Sequence, residues 1–215
     1  MRPRLIPHGG DPARLGATIT AEGVNFAVYS ETASAIWVCV FDDMGNETAR
    51  FELDGHDDNV HHGLIDGLGA GTKYGLRADG PYDPDQGYHF DPNKLLVDPY
   101  AKRLDRVYVR SPRLRLPRED AVDTAPIVPK AVLLDGEMRP ALPMTQAPGL
   151  VYELNVRGYT MRHPSVQGPL RGTVAGLTTL RVIEHLKYLG VDTVELMPVA
   201  AFMPSPKRTT WPPVM

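Results

Sequence analysis

Apolar and polar positions alternate with a period of two through the first third of the chain. Val24, Phe26 and Val28 are separated by smaller or polar neighbours in Gly23 to Ser30. Ala35 to Phe41 is a β-branched and aromatic run that stops at Asp42-Asp43-Met44-Gly45-Asn46, a strong turn signal. Arg50 to Leu53 alternates again and ends at Asp54-Gly55. Val60 to Ile65 and Lys73 to Ala78 complete the series, with Gly67 to Gly71 as a break between them. Several short strands with closely spaced turns predict an antiparallel β-sandwich over roughly 100 residues.

From Gly80 to Pro92 each proline lacks a backbone donor and restricts the residue before it, so no regular element is expected. That stretch still carries Tyr82, Tyr88, His89 and Phe90, which marks it as packed. From Ser111 to Pro148 prolines recur and periodicity is lost, which predicts a connector with a short strand at Ala131 to Leu134. The pattern changes near Gly149. Leu150 to Val156 predicts a strand. Val182, Ile183, Leu186 and Leu189 fall at helical spacing before Gly190, and Val191 to Met197 predicts a second strand. Strand, helix, strand implies a βαβ unit with parallel strands, which leaves a sheet face and both edges open.

Composition narrows the function classes. The net charge of −3 and a pI near 6.2 supply no electrostatic footprint for nucleic acid. The basic stretch Arg103 to Arg118 is interrupted by Asp105, Pro112 and Pro117. Hydrophobic residues make up 42% and charged residues 23%, enough apolar material for a core. No apolar run approaches the roughly 20 residues that span a bilayer, so no membrane partner is expected. Met1 to Gly10 has no apolar segment of a signal peptide. The single cysteine, Cys39, excludes an internal disulfide framework and fits a reducing compartment, which gives a cytoplasmic setting as the expectation.

Several segments resemble a known family. Gly16-Ala17-Thr18, then Gly23 to Ser30, resembles the opening of the isoamylase-type glycogen debranching enzymes. Tyr74 to Tyr82 and His89 to Lys102 are similar to that family's most diagnostic segments. Val151 to Thr160, Gly172 to Leu177 and Gly190 to Val199 look like the first strand, first helix start and second strand of its catalytic barrel. The resemblance runs in order from about residue 14 to about residue 202.

The resemblance implies a mainly β chain. An immunoglobulin-like β-sandwich would occupy residues 1–110 and the Pro-rich connector 111–148. The first βαβ unit of a truncated (β/α)8 barrel of the alpha-amylase superfamily would occupy 149–202, with a non-family tail at 203–215. It implies hydrolysis of α-1,6 branch linkages in glycogen or limit dextrin, by a carboxylate nucleophile and a carboxylic acid roughly 5 Å apart. The family places those carboxylates on later barrel strands, and Leu150 to Met215 is 66 residues where a barrel takes about 250. No catalytic residue is therefore expected here, and the fragment is expected to be inactive alone. No cofactor or metal is expected. The partners implied are branched α-glucan and the missing remainder of the barrel. The alternative is a non-catalytic glucan-binding or domain-docking sandwich.

Candidate chemistry has competing structural readings. Glu153 and Glu195 are the carboxylates of the two barrel-type strands, and barrel-interior or strand-end positions explain them without catalysis. Asp54, His56, Asp57, Asp58, His61 and His62 could suggest a metal cluster, but adjacent His61 and His62 point to opposite faces of a strand, and a solvated polar loop is the expectation. Asp42, Asp43 and Asn46 suit a hairpin turn better than a calcium loop. Trp37, Tyr82 and Tyr88 are the candidates for an aromatic platform against sugar rings. Core packing competes for Trp37, and packing of the sandwich against the barrel competes for both tyrosines. Cys39 shares the parity of Trp37 and Phe41 and is expected to be an inert thiol.

Overall fold

The computed structural model describes residues 2–136 and 149–199. The part of the connector at 137–148 and the tail at 203–215 lie outside the described residues. The described residues divide into two compact units, residues 2–136 and residues 149–199.

The first unit is a sandwich of two antiparallel sheets. Its strands are β1 (Arg4–Ile6), β2 (Gly16–Ile19), β3 (Val24–Tyr29), β4 (Ala35–Phe41), β5 (Glu47–Glu52), β6 (Gly55–Asp57), β7 (Val60–Asp66), β8 (Lys73–Asp79), β9 (Tyr82–Asp83), β10 (Tyr88–His89) and β11 (Ala131–Val132). One sheet has the order β1-β7-β3-β2, with β6 also pairing β7, and the other β11-β8-β4-β5. The alternation in the sequence sorts the faces. Val24, Phe26 and Ile65 point inward from the first sheet and meet Ile36, Val38, Tyr74 and Leu76 of the second, all buried. Each such side chain contributes about 1.5–3 kcal/mol through removal from water. Phe26 and Tyr74 meet edge to face at 5.2 Å, and the Tyr74 hydroxyl donates to Asp98 at 2.6 Å. Asn25 lies on the opposite face of β3, where its carboxamide accepts from the Asp11 N–H and donates to the carbonyls of Asp11 and Arg14, tying down the N-terminal loop.

The second sheet has a covered outer face. Cys39 and Phe41 pack there against Leu95, Ala125 and Val128, with Trp37, Val97 and Leu114 at the margin. Residues between 93 and 130 thus form a third layer without strand or α-helix, with 3-10 turns at Pro112–Arg115 and Arg118–Asp120. Thr124 holds it by accepting from the Leu95 N–H at 2.8 Å, while its own N–H donates to the Asn93 carbonyl. Cys39 is a buried free thiol, and burial pushes its pKa up to about 12, as expected of an inert group.

Two expectations are corrected. Gly80 to Pro92 does hold a regular element: β9 and β10 pair, with Tyr88 opposite Asp83 and His89 opposite Tyr82. The prolines permit this because they sit outside the ladder. Pro84 opens a 3-10 turn at Pro84–Gln86, where its fixed φ fits the first position, and Asp83 caps that turn. The polar stretch Asp54 to His62 is solvated at Asp54, His56, Asp57 and Asp58, as expected, but it forms the β6–β7 hairpin rather than a loop, with His61 and His62 both buried. Its two turn residues, Asp58 and Asn59, take φ of 45° and 65°, a left-handed pair that Asp and Asn tolerate without glycine. The turn at Asp42 to Asn46 is a hairpin connection, as expected. Asp42 accepts from the Asn46 backbone and side chain, which holds its carboxyl below the usual range.

The second unit contains β12 (Leu150–Leu154), α1 (Val156–Thr160), α2 (Val174–Leu177), α3 (Leu180–Tyr188) and β13 (Val191–Leu196). β12 and β13 pair in parallel, so the expected βαβ unit is present. Asn155 caps α1 by accepting from Gly158 at 2.8 Å, and Gly190 ends α3 at φ 75°. Val166, Val182 and Leu186 form a small core. Leu150, Val151, Val194, Met197 and Val199 remain exposed. A two-stranded sheet with so little covered surface opens easily. Amide hydrogen exchange is expected to be faster across 150–196 than across β3, β4 and β8, by at least about tenfold. Equal protection in the two units would contradict this. No helix among the described residues is long and apolar enough to cross a membrane.

Candidate functional site

The Tyr82 hairpin and the irregular third layer enclose a groove of about 450 Å³ on the first unit. Tyr82, Pro84, His89, Asp91 and Lys94 form one wall and floor, and Leu114, Arg115, Leu116, Pro117 and Arg118 form the other wall. A smaller concavity of about 240 Å³ adjoins it and shares His89, Asp91 and Lys94, with Ala78, Phe90 and Leu96 as its apolar lining. An aromatic ring, apolar patches and a few convergent polar groups suit a polyhydroxylated ligand of modest size.

Arg118 joins the two walls. Its backbone N–H donates to the Tyr82 hydroxyl oxygen at 3.0 Å, and its guanidinium stands 5.9 Å from the centre of the Tyr82 ring. The same guanidinium pairs with Asp79 at 2.9 Å and donates to the carbonyls of Gly80 and Phe90. Asp91 forms the buried floor. One carboxylate oxygen accepts from the Asn93 backbone at 2.9 Å and side chain at 3.0 Å, and the other lies 3.8 Å from the Lys94 ammonium.

Of the three aromatic candidates, Tyr82 alone lines this groove. Tyr88 is 39% exposed on the outer strand of the hairpin, and Trp37 is half-buried on β4 against the Cys39 cluster. The structure does not bring the three together. Asp91 and Lys94 were visible in the sequence only as parts of a diagnostic segment, and His89 also as one of the residues that mark the Pro-rich stretch as packed. Leu114 to Arg118 gave no signal, because no periodicity marks them and Arg118 is 36 residues from Tyr82.

Glu153 and Glu195 are direct neighbours in the β12–β13 register and both are exposed. Two carboxylates side by side in water lack the apolar enclosure that would separate acid and nucleophile roles. The histidine-rich hairpin forms two separate pairs on opposite faces of β7. His62 contacts Asp57 at 2.8 Å, and the rings of His56 and His61 lie 4.5 Å apart. Among the described residues no group of three or more His, Cys, Asp or Glu is placed to hold a metal ion.

With the geometry in place, known proteins sharpen the reading. Residues 14–101 match the family model of carbohydrate-binding module 48, the isoamylase N-terminal domain. The first unit is thus similar to the sandwich at the head of isoamylase-type enzymes. A glycogen debranching enzyme of Yersinia enterocolitica is 37% identical over 206 residues, covering 92% of this chain and 31% of that protein. One from Klebsiella pneumoniae is 38% identical with the same coverage. The chain spans about a third of the length of these curated relatives. Among solved structures, the catalytic module of the glycogen-degrading pneumococcal virulence factor SpuA, in complex with an inhibitor, is 25% identical with a TM-score of 0.57. It covers 86% of this chain and 27% of that one. A pullulanase from Paenibacillus barengoltzii, in complex with maltohexaose and alpha-cyclodextrin, shares the fold at 23% identity and a TM-score of 0.58, over 87% of this chain and 27% of that one. The particular resemblance is to the isoamylase N-terminal domain and to about a third of the length of glycogen debranching enzymes.

Proposed function

We propose that this chain serves glycogen debranching, the hydrolysis of α-1,6-glucosidic branch linkages in glycogen or limit dextrin, and that its own part is to bind α-glucan. The observation that carries the binding role is the groove at Tyr82, in a sandwich whose family is a carbohydrate-binding module. The tyrosine ring offers an apolar face to a glucosyl ring, and Lys94, Arg115 and His89 supply polar groups for its hydroxyls. The cleavage step belongs to carboxylates of a closed barrel, which the described residues do not form. The apolar concavity between α3 and β13, lined by Leu177, Ile183, Leu186 and Val194, supports docking of further barrel elements on the second unit. A reducing setting such as the cytoplasm, where Cys39 stays a thiol, belongs to the same proposal.

Pull-down on glycogen and calorimetric titration with maltoheptaose test this reading. The purified chain is expected to be retained on glycogen and to release no reducing ends from it. Y82A is expected to weaken maltoheptaose binding by about tenfold or more, the range of one stacking contact of 1.4 kcal/mol or above. Absence of any retention, or equal binding by Y82A, would overturn the assignment of the groove.

A further inference from the structure

We infer that Arg118 is the positioning residue of the glucan groove: it fixes the Tyr82 hairpin in a binding-ready geometry from the opposite wall. This rests on the glucan reading of the same groove.

The hairpin needs such a support. Its ladder is two residues on each side, Tyr82–Asp83 against Tyr88–His89, and a two-stranded ribbon of that length is marginal by itself. Pro81 and Pro84 flank the ladder without an N–H that could extend it, and the Phe90 N–H reaches the Pro81 carbonyl only at 3.4 Å. Arg118 meets this weak element at five places. It pairs with Asp79 where β8 ends, donates to the carbonyls of Gly80 and Phe90 at the two roots of the hairpin, stands over the Tyr82 ring and donates its own N–H to the Tyr82 hydroxyl. The planar guanidinium can serve Asp79 and the two carbonyls at once because its donors are arranged as a rigid fork.

One consequence follows for the ligand. The ring is held before the ligand arrives, so less ordering entropy is lost on binding. Arg118 therefore acts on affinity through Tyr82 rather than by touching sugar.

The test uses the full chain as wild type, R118A, R118K and Y82A. Each is titrated with maltoheptaose and with β-cyclodextrin, and exchange of peptide 79–90 is followed by mass spectrometry with and without ligand. R118A is expected to exchange about tenfold faster across 79–90, with β3 and β4 unchanged, and to bind both glucans about tenfold more weakly. R118K keeps the Asp79 pair but not the fork and is expected to fall between. Glucan is expected to slow exchange across 79–90 in the wild type and to leave Y82A unaffected. Unchanged exchange in R118A overturns the inference, and so does wild-type affinity in R118A. Should R118A fail to fold, R118K carries the same two readouts. Should the wild type bind neither glucan, the functional reading falls, and the exchange comparison alone decides whether Arg118 holds the hairpin.

Discussion

Replacing Arg77 by alanine is expected to destabilise the first unit by about 2–3 kcal/mol, less than the roughly 3–5 kcal/mol of a fully buried ion pair, because Glu47 and above all Asp123 keep contact with water. Arg77 lies on β8 opposite Trp37 and is only 2% exposed. Its guanidinium reaches Glu47 of β5 at 3.0 Å, Asp123 of the third layer at 2.9 Å and the Pro92 carbonyl at 3.0 Å. One side chain thus joins the second sheet to both ends of the segment that covers it. Burial pushes the Glu47 carboxyl up, but hydrogen bonding by Arg50 and the charge of Arg77 outweigh it and hold it below its usual range. Burial also raises Asp123, while the Ala125 N–H and the Arg77 pairing bring it below. The alanine variant leaves the Pro92 carbonyl and Glu47 without this partner, while the exposed Asp123 carboxylate turns to water. R77K keeps the charge but cannot fork to three acceptors, so it is expected to recover only part of the loss. Urea unfolding followed by circular dichroism measures both variants. A loss under about 1 kcal/mol for R77A would show that the third layer is held by other contacts.

What was legible in the sequence follows from how local each cause is. β3, β4, β7 and β8 show in the alternation because each has one face in the core, as at Val24, Phe26, Ile36 and Val38. The βαβ unit shows because the spacing of Val182 and Leu186 is a property of a single helix. β1, β2 and β6 escape because they have three or four residues each, and pairing with a neighbour rather than their own pattern keeps them extended. The buried histidines of β7 read as a polar loop because burial there is set by β6 folding back over them. Half of the groove was legible. The aromatic and charged residues near Tyr82 stand out in a Pro-rich segment, whereas Arg118 becomes part of the site only through a contact spanning 36 residues. The parity of Cys39 with Trp37 and Phe41 indicated a shared face, but nothing local indicated that Ala125 and Val128 would cover it.

The same third layer gives the first unit an alkaline stability profile of unusual shape. Lys130 is 1% exposed. Its ammonium donates to the carbonyls of Ala125 and Val128 and lies 4.7 Å from the centre of the Phe41 ring. Burial, helped by the nearby charge of Arg106, lowers its pKa from 10.5 to about 8. Between those two values the unfolded chain carries a proton at this site that the folded chain has released, so stability rises with pH there. Two buried acids on the same sheet act in the opposite sense. The Cys39 thiol moves from 9.0 to about 12 through burial, with Glu47 adding to it. The Tyr74 hydroxyl is raised above its ordinary 10.0 by burial and by Asp98. Above their ordinary values the unfolded chain ionises these groups while the folded chain keeps them protonated, and each removes up to about 1.4 kcal/mol of stability per pH unit. The melting temperature is therefore expected to climb gently from pH 7.5 to about 9, crest between about 9 and 10 where the contributions cancel, and fall steeply beyond. K130M is expected to abolish the climb, because no proton is then released on folding at that position. C39A is expected to soften the fall without changing the climb. Melting curves from pH 7 to 11.5 separate the three chains. A K130M profile parallel to that of the wild type below pH 9 would mean that the Lys130 ammonium stays charged in the folded chain and that its carbonyl cage outweighs its burial.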